Sequence, residues 1–189
     1  MPTTKTVTYT LYKFDELSEK AQEKALNDHW DLNVDHDWWE CTYEDAELVG
    51  LEITEFDFGR RNLIKGELKE YLLDSCKAIR SNHGKHCDTF KTAKQYLAEY
   101  IQEFKDWKKR ELANSEDDCG CDHWKPKDWL AEFKYTEEAQ EVELNYKRAL
   151  LEDYLSILSR EYDYQTSREQ VIESIRANDY DFNEDGLLF

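Results

Sequence analysis

Hydrophobic and polar positions alternate from Lys5 to Phe14. Val7, Tyr9 and Leu11 fall on one side and Thr6, Thr8 and Thr10 on the other. Period-2 alternation is the pattern of a half-buried strand, and a first strand is expected there. Leu17-Ser18 opens a helix, with Ser18 as N-cap and Glu19 in the first turn. Ala21, Ala25, Leu26 and Trp30 follow at helical spacing until Asn33-Val34-Asp35 interrupts them. Asp37-Trp38-Trp39-Glu40 reads as a capping box that opens a second helix. Its apolar stripe is Trp39, Tyr43, Ala46 and Val49, expected to face a sheet, and Gly50 suits the C′ position.

Leu51 to Phe58 returns as a strand. Leu51 and Ile53 share one parity while Phe56 and Phe58 share the other, which calls for a β-bulge near Thr54-Glu55. Gly59-Arg60-Arg61-Asn62 is a hairpin turn into a strand over 63–68. A helix is predicted from Glu70 to about Ser81, ended by Asn82-His83-Gly84. A longer one opens at Asp88 or Thr89 and carries Phe90, Ala93, Tyr96, Leu97, Tyr100, Ile101, Phe104 and Trp107 at i, i+3, i+4 spacing. The stretch 113–127 is the most loop-like and is expected to be exposed. A long helix then starts at Trp129 or Thr136 and runs to Tyr162, with Leu144, Leu151, Leu155 and Leu158 as its expected buried stripe. Thr166 with Glu169 makes another capping box, and the last helix passes through Val171, Ile172 and Ile175. Tyr180-Asp181-Phe182, a turn at Asn183 to Gly186 and Leu187-Leu188-Phe189 form a terminal hairpin or a strand that docks on the sheet.

These elements specify an α+β fold: a small antiparallel sheet packed on one face by several helices, one or two of them long. The expected sheet comprises 5–14, 51–58 and 62–68. Residues 1–189 are expected to form one domain with a helical middle part at about 88–163. The expected core includes Val7, Tyr9, Leu11, Trp39, Tyr43, Ile53 and Leu155.

Charge changes the picture more than size does. Charged residues are 36% of the 189, the formal net charge is -18 and the pI is about 4.6. The acid is spread along the chain, with no basic patch to neutralise phosphate, so direct nucleic-acid binding is not expected. Aromatics reach 14%, so a few large side chains can fill a core between thin layers. No apolar run of roughly 18 residues occurs and the N-terminus lacks a signal-peptide core, so no membrane contact and a cytoplasmic location are expected. Five cysteines, an odd number, are expected as reduced thiols.

Cys119-x-Cys121-x-His123 and His83-x-x-His86-Cys87 carry zinc-type ligands. Cys-x-Cys is too cramped for the usual tetrahedral knuckle, so neither a metal nor a cofactor is expected. Asp181-x-Asn183-x-Asp185-Gly186 matches the opening of a calcium loop, yet the bidentate Glu and the following helix are absent, and a tight turn accounts for the same residues. Asp35, His36, Asp37, Glu40, Glu44 and Asp45 crowd one region, but in so acidic a chain such clusters arise from composition. No phosphate-cradling glycine loop, Gly-x-Ser-x-Gly or His-Glu-x-x-His motif occurs, and no enzymatic activity is expected. Trp38 and Trp39 point about 100° apart on a helix, so one packs on the sheet while Trp38 is a second-layer contact or part of a binding surface.

The N-terminal pattern Tyr12-x-Phe14-x-Glu16-Leu17-Ser18-x-x-Ala21-x-x-Lys24-Ala25 is followed by Asp37-Trp38-Trp39, Tyr43-Glu44-Asp45-Ala46 and the Leu51/Ile53 strand. Together with the ending from Thr166-Ser167 to Asn183-Glu184-Asp185-Gly186-Leu187, this resembles a group of small acidic proteins encoded by phages and prophages. The likeness covers both ends and not residues 84–135. Other members carry a glycine-rich segment after the second strand, where this chain has Gly59-Arg60-Arg61, so a role for that segment does not transfer. The resemblance implies a context: modulation of host machinery in the cytoplasm of a host cell, restriction or CRISPR systems included. The leading expectation is therefore an acidic inhibitor that covers the basic nucleic-acid-binding groove of a host defence nuclease or CRISPR effector. The candidate contacts are Glu99, Glu103, Asp106, Glu116, Asp117, Asp118, Glu137, Glu138, Glu141, Glu143 and Trp38. A regulatory or structural phage protein without nucleic-acid mimicry is the alternative, and a small metal-dependent enzyme the third reading.

Overall fold

A computed structural model describes residues 3–4, 7–58, 62–115 and 126–189. Among them the fold is α+β, with seven α-helices and one two-stranded antiparallel sheet. The helices are α1 (Glu19–Asp28), α2 (Glu40–Leu48), α3 (Leu72–Asn82), α4 (Asp88–Ser115), α5 (Pro126–Phe133), α6 (Glu137–Gln165) and α7 (Arg168–Ala177). The strands are β1 (Leu51–Asp57) and β2 (Leu63–Leu68). Two compact units divide the chain. One comprises Met1–Glu40 with Ser159–Phe189, the other Cys41–Leu158.

In the first unit the alternating N-terminal segment forms no strand among its described residues. Val7 is 55% exposed, Tyr9 62% and Leu11 39%, so the expected core positions lie outside the core. Alternation is half of what a strand requires, and the other half is a neighbour that takes its N–H and C=O groups. Among the described residues of the segment only Tyr12 finds such a strand-like neighbour, exchanging two backbone hydrogen bonds of 2.9 Å with Phe182. The C-terminal segment therefore pairs with Tyr12. Phe182 also bridges Leu188, which closes a minimal terminal hairpin. The turn depends on Asn183, whose Oδ1 accepts from the N–H of Asp185 (3.0 Å) and of Leu187 (2.9 Å). Gly186 has a φ of +81°, and a Cβ there would run into the Ala21 carbonyl.

The core of this unit joins Phe14, Leu17, Ala21, Ala25 and Leu26 to Val171, Ile175 and Phe182. Ser18 caps α1 as expected, its Oγ accepting from Ala21 N–H at 3.3 Å. The cap of α7 is Ser167, one residue later than the expected Thr166. Thr166 instead donates its hydroxyl to the Tyr162 carbonyl at 2.8 Å, extending the end of α6. Trp38 and Trp39 lie in the turn before α2, so the helical stripe does not set their direction. Both are half-buried and meet edge to face at 5.8 Å, with Trp38 also 5.8 Å from Tyr162. Trp39 is therefore half-buried and not the largely buried core residue expected.

In the second unit β1 and β2 pair with Leu51 opposite Leu68, Ile53 opposite Gly66 and Phe56 opposite Ile64. The register shifts between Ile53 and Glu55, the expected bulge, and this returns Phe56 to the apolar face. Gly66 permits the closest approach: a Cβ there would collide with the Glu52 carbonyl and press on Leu151 of α6. Gly50 ends α2 with a φ of +80°. Helix α4 buries Ala93, Tyr100 and Trp107, α5 buries Trp129 and Phe133, and α3 buries Leu72, Cys76 and Ile79. The inward stripe of α6 is Ala139, Val142, Tyr146, Leu150, Leu151, Tyr154 and Leu158. Of the expected stripe Leu151 and Leu158 are buried, Leu144 is exposed and Leu155 half-buried, and Tyr146, Leu150 and Tyr154 complete the inward face. Ile53 is buried and Tyr43 half-buried against this core.

Replacing Phe182 by Ala should cost about 3–5 kcal/mol of unfolding free energy, whereas Val7→Ala should change it by less than about 0.5 kcal/mol. Urea titration of both variants checks this. A Val7 variant as unstable as the Phe182 variant would mean that the N-terminal segment is packed after all.

Candidate functional site

Helix geometry sorts the charges of α4. With Ala93, Tyr100 and Trp107 turned inward at a seven-residue spacing, Glu99, Glu103 and Asp106 fall along one flank at i, i+4 and i+7. Lys94 and Lys105 fall on the other side, while Lys91 and Lys109 lie on the outer face, one turn from Asp88 and Asp106, with Lys91 paired to Asp88 at 2.8 Å. The helix therefore carries an acidic edge beside a lysine-bearing outer face, not uniform acid. Glu99 and Asp106 are exposed and Glu103 is half-buried. Asp106 accepts from the Gln102 amide at 2.8 Å. Arg110, one turn beyond Asp106, donates to Glu138 Oε1 at 2.6 Å and ties this flank to the first turn of α6. Glu141, one turn further along α6, is exposed, as is Glu137.

The other expected contacts are placed differently. Glu138 is engaged by Arg110. Glu143 is on the inward side of α6, half-buried, and lines a cleft of about 410 Å³ with Tyr71, Asp74, Tyr100, Leu130 and Lys134. Trp38 packs on Trp39 and Tyr162 and is half-buried. Glu116, Asp117, Asp118, Cys119, Cys121 and His123 lie outside the described residues, as do Gly59, Arg60 and Arg61. A second cleft, of about 740 Å³, gathers Lys77, Arg80, His83 and Lys85 around Leu73, Phe90 and Leu97.

One polar network was not legible in the sequence. Tyr154 donates to Asp45 Oδ2 at 2.9 Å, His83 Nε2 stands 3.4 Å from Asp45 Oδ1, and His83 Nδ1 is 2.7 Å from Thr89 Oγ1. Carboxylate, imidazole and hydroxyl in series is the arrangement that activates a nucleophile. Here Thr89 is 2% exposed in the first turn of α4, so its hydroxyl is closed to substrate and the chain of contacts serves to tie α2, α4 and α6 together. Of the acids crowded between Asp35 and Asp45, Asp45 makes the inward contact. Its neighbour Ala46 at the buried face was the available signal.

Burial also sets the titration of several groups. Burial pushes the Tyr154 phenol far up, with the Asp45 charge adding to it. Tyr146 rises for the same reason, and its hydroxyl is satisfied by Ser75 Oγ at 2.8 Å. The Cys76 thiol is pushed up to about 11 by burial. Burial likewise raises the Asp153 carboxyl, against a hydrogen bond from Thr92, and its Oδ2 has no hydrogen-bond partner among the described residues.

Among the described residues no three His, Cys, Asp or Glu side chains converge as metal ligands, and no helix is long and apolar enough to cross a membrane. Compared with protein-family models, with curated proteins and with solved structures, the chain matches none.

Two outcomes follow from the buried groups. In native protein at pH 8, a thiol reagent followed by peptide mapping should label the exposed Cys41 and Cys87 and leave Cys76 untouched until denaturant is added. Native labelling of Cys76 at the rate of Cys41 would contradict its burial. Asp153→Asn should stabilise the fold at neutral pH. A carboxyl whose folded pKa is raised contributes stability below its unfolded value, and that contribution is lost as pH rises through the folded one. The gain from Asn should therefore shrink as pH falls towards the ordinary carboxyl value of 3.8. Urea midpoints at neutral and acid pH decide this, and a gain that does not shrink with acid would refute it.

Proposed function

We propose that the protein acts by binding, presenting the acidic flank of α4 to a basic, nucleic-acid-binding surface of another protein. The observation that carries this reading is the alignment of Glu99, Glu103 and Asp106 on one edge of a helix, with Lys94 and Lys105 on the other side of it. A net charge of -18 supplies long-range attraction to a basic groove. The local line of carboxylates supplies a spacing that a groove built for phosphates accepts. Glu137 and Glu141 extend the acidic surface beyond the Arg110–Glu138 pair. The likeness to small acidic phage-encoded proteins makes a host defence nuclease or a CRISPR effector the first partner class to test. The lysine-bearing side gives the complex an orientation, since the same groove would repel it.

Changing Glu99, Glu103 and Asp106 together to Lys should weaken binding to a partner recovered from bacterial lysate by at least about tenfold at 50 mM salt, since like charge facing a basic groove is repulsive. Wild-type affinity should fall steeply between about 50 and 300 mM salt. Nucleic acid should compete for the partner. Changing Lys94 and Lys105 to Glu should leave affinity intact or improve it. Equal binding by the acidic-flank variant, with salt-independent affinity, would rule out this flank as the contact.

A further inference from the structure

The cleft beside α3, α5 and α6 has an unusual set of walls. Tyr71 precedes α3, Tyr100 comes from α4, and Asp74 and Glu143 bring two carboxylates to the same space. Tyr100 is buried, and its phenol is held up by burial and by the Glu143 charge. Glu143 has no hydrogen bond or ion pair to another described residue. Asp74 has only the exposed Lys77 at 3.7 Å. One cation already occupies an aromatic face here: Lys134 Nζ lies 3.1 Å from the Tyr71 ring centroid and 5.4 Å from that of Tyr135. It makes no salt bridge with either carboxylate of the cleft.

An aromatic face attracts a cation through its quadrupole when the charge lies within about 6 Å of the ring centroid. A nearby unpaired carboxylate adds a charge-assisted partner for the N–H groups of the same cation. We infer that this cleft is a receptor for one lysine or arginine side chain of a basic partner, with the apolar stem along Leu130 and the cationic head between Tyr71 and Glu143. Lys134 is the built-in occupant that stands where the incoming head would go. The inference rests on the binding reading above for the source of that side chain, but not for the site itself, which is open to test on the protein alone.

The probes are N-acetyl-arginine methylamide and N-acetyl-lysine methylamide, with N-acetyl-citrulline methylamide as the uncharged isostere of the first. Titration into the protein at low salt, followed by NMR of the tyrosine ring resonances, should shift Tyr71 and Tyr100 with the two cationic probes and not with citrulline. Glu143→Gln should weaken the arginine probe by about fivefold or more, as for loss of a charge-assisted hydrogen bond. Lys134→Met keeps the stem and removes the competing charge, so it should tighten the probe by about 2- to 5-fold, the range of an exposed cation–π contact. The exposed Tyr71→Ala change should abolish the Tyr100 shift. Equal shifts with citrulline, no shift at all, or an unchanged response in Glu143→Gln would each overturn the site. Probe binding that survives in the Glu99, Glu103 and Asp106 triple variant, beside a lost partner interaction, is the expected separation of the two surfaces. Loss of probe binding in that variant would overturn the cleft as an independent receptor, whereas failure to recover any partner leaves the probe result to stand and counts only against the binding reading.

Discussion

Two tyrosine hydroxyls organise the larger unit. Tyr146 and Tyr154 are both fully buried on the inward side of α6. A buried hydroxyl without a partner costs about 1–3 kcal/mol, so each must be met by a specific group. Ser75 of α3 meets Tyr146 and Asp45 of α2 meets Tyr154. Those two bonds fix where α6 lies relative to α3 and α2, and the sheet follows, because Leu151 fits only over the missing Cβ of Gly66. The apolar side chains around them supply most of the driving force and little of the directionality.

The same positioning controls which charges are available. Helix α4 turns its acidic edge outward because a heptad-like stripe of Ala93, Tyr100 and Trp107 is buried, its aromatic members packed on Phe133 and Trp129. Once that stripe is buried, the remaining helix directions are fixed, and the acidic edge follows from residue spacing alone. Packing then removes some acids from the surface: Glu138 is engaged by Arg110 and Glu143 is drawn into the cleft. The result is an acidic edge on α4 and, separately, a recessed carboxylate in a tyrosine-lined cleft.

Much of the local structure was legible because its causes are local. The Ser18 cap, the glycine at the end of α2, the bulge in β1, the 51–68 hairpin and the inward stripe of α4 each depend on residues within a few positions of one another. The misses share a different cause. Val7, Tyr9 and Leu11 alternate like a strand, but no neighbouring strand satisfies that backbone, so the pattern stays exposed. Trp39 lies in the turn one residue before α2, not on the helix, and is only half-buried. On α6 several apolar stripes overlap, and periodicity alone does not exclude Leu144 and Leu155 from the buried face that Leu151 and Leu158 share with Tyr146 and Tyr154.

Composition and spacing by themselves determined that the chain is strongly acidic, that a hairpin over 51–68 and several helices are among its elements, and that Glu99, Glu103 and Asp106 share a helix edge. These follow from the covalent order of residues and the fixed geometry of helix and strand. Only the tertiary structure decided that Asp45, His83, Thr89 and Tyr154 would meet, that Phe182 would pair with Tyr12, and that Glu143 would leave the surface for a tyrosine-walled cleft. Such contacts join residues far apart in the chain. They are selected by which buried hydroxyls, carboxyls and backbone groups find partners when the core closes, and no window of sequence contains that competition.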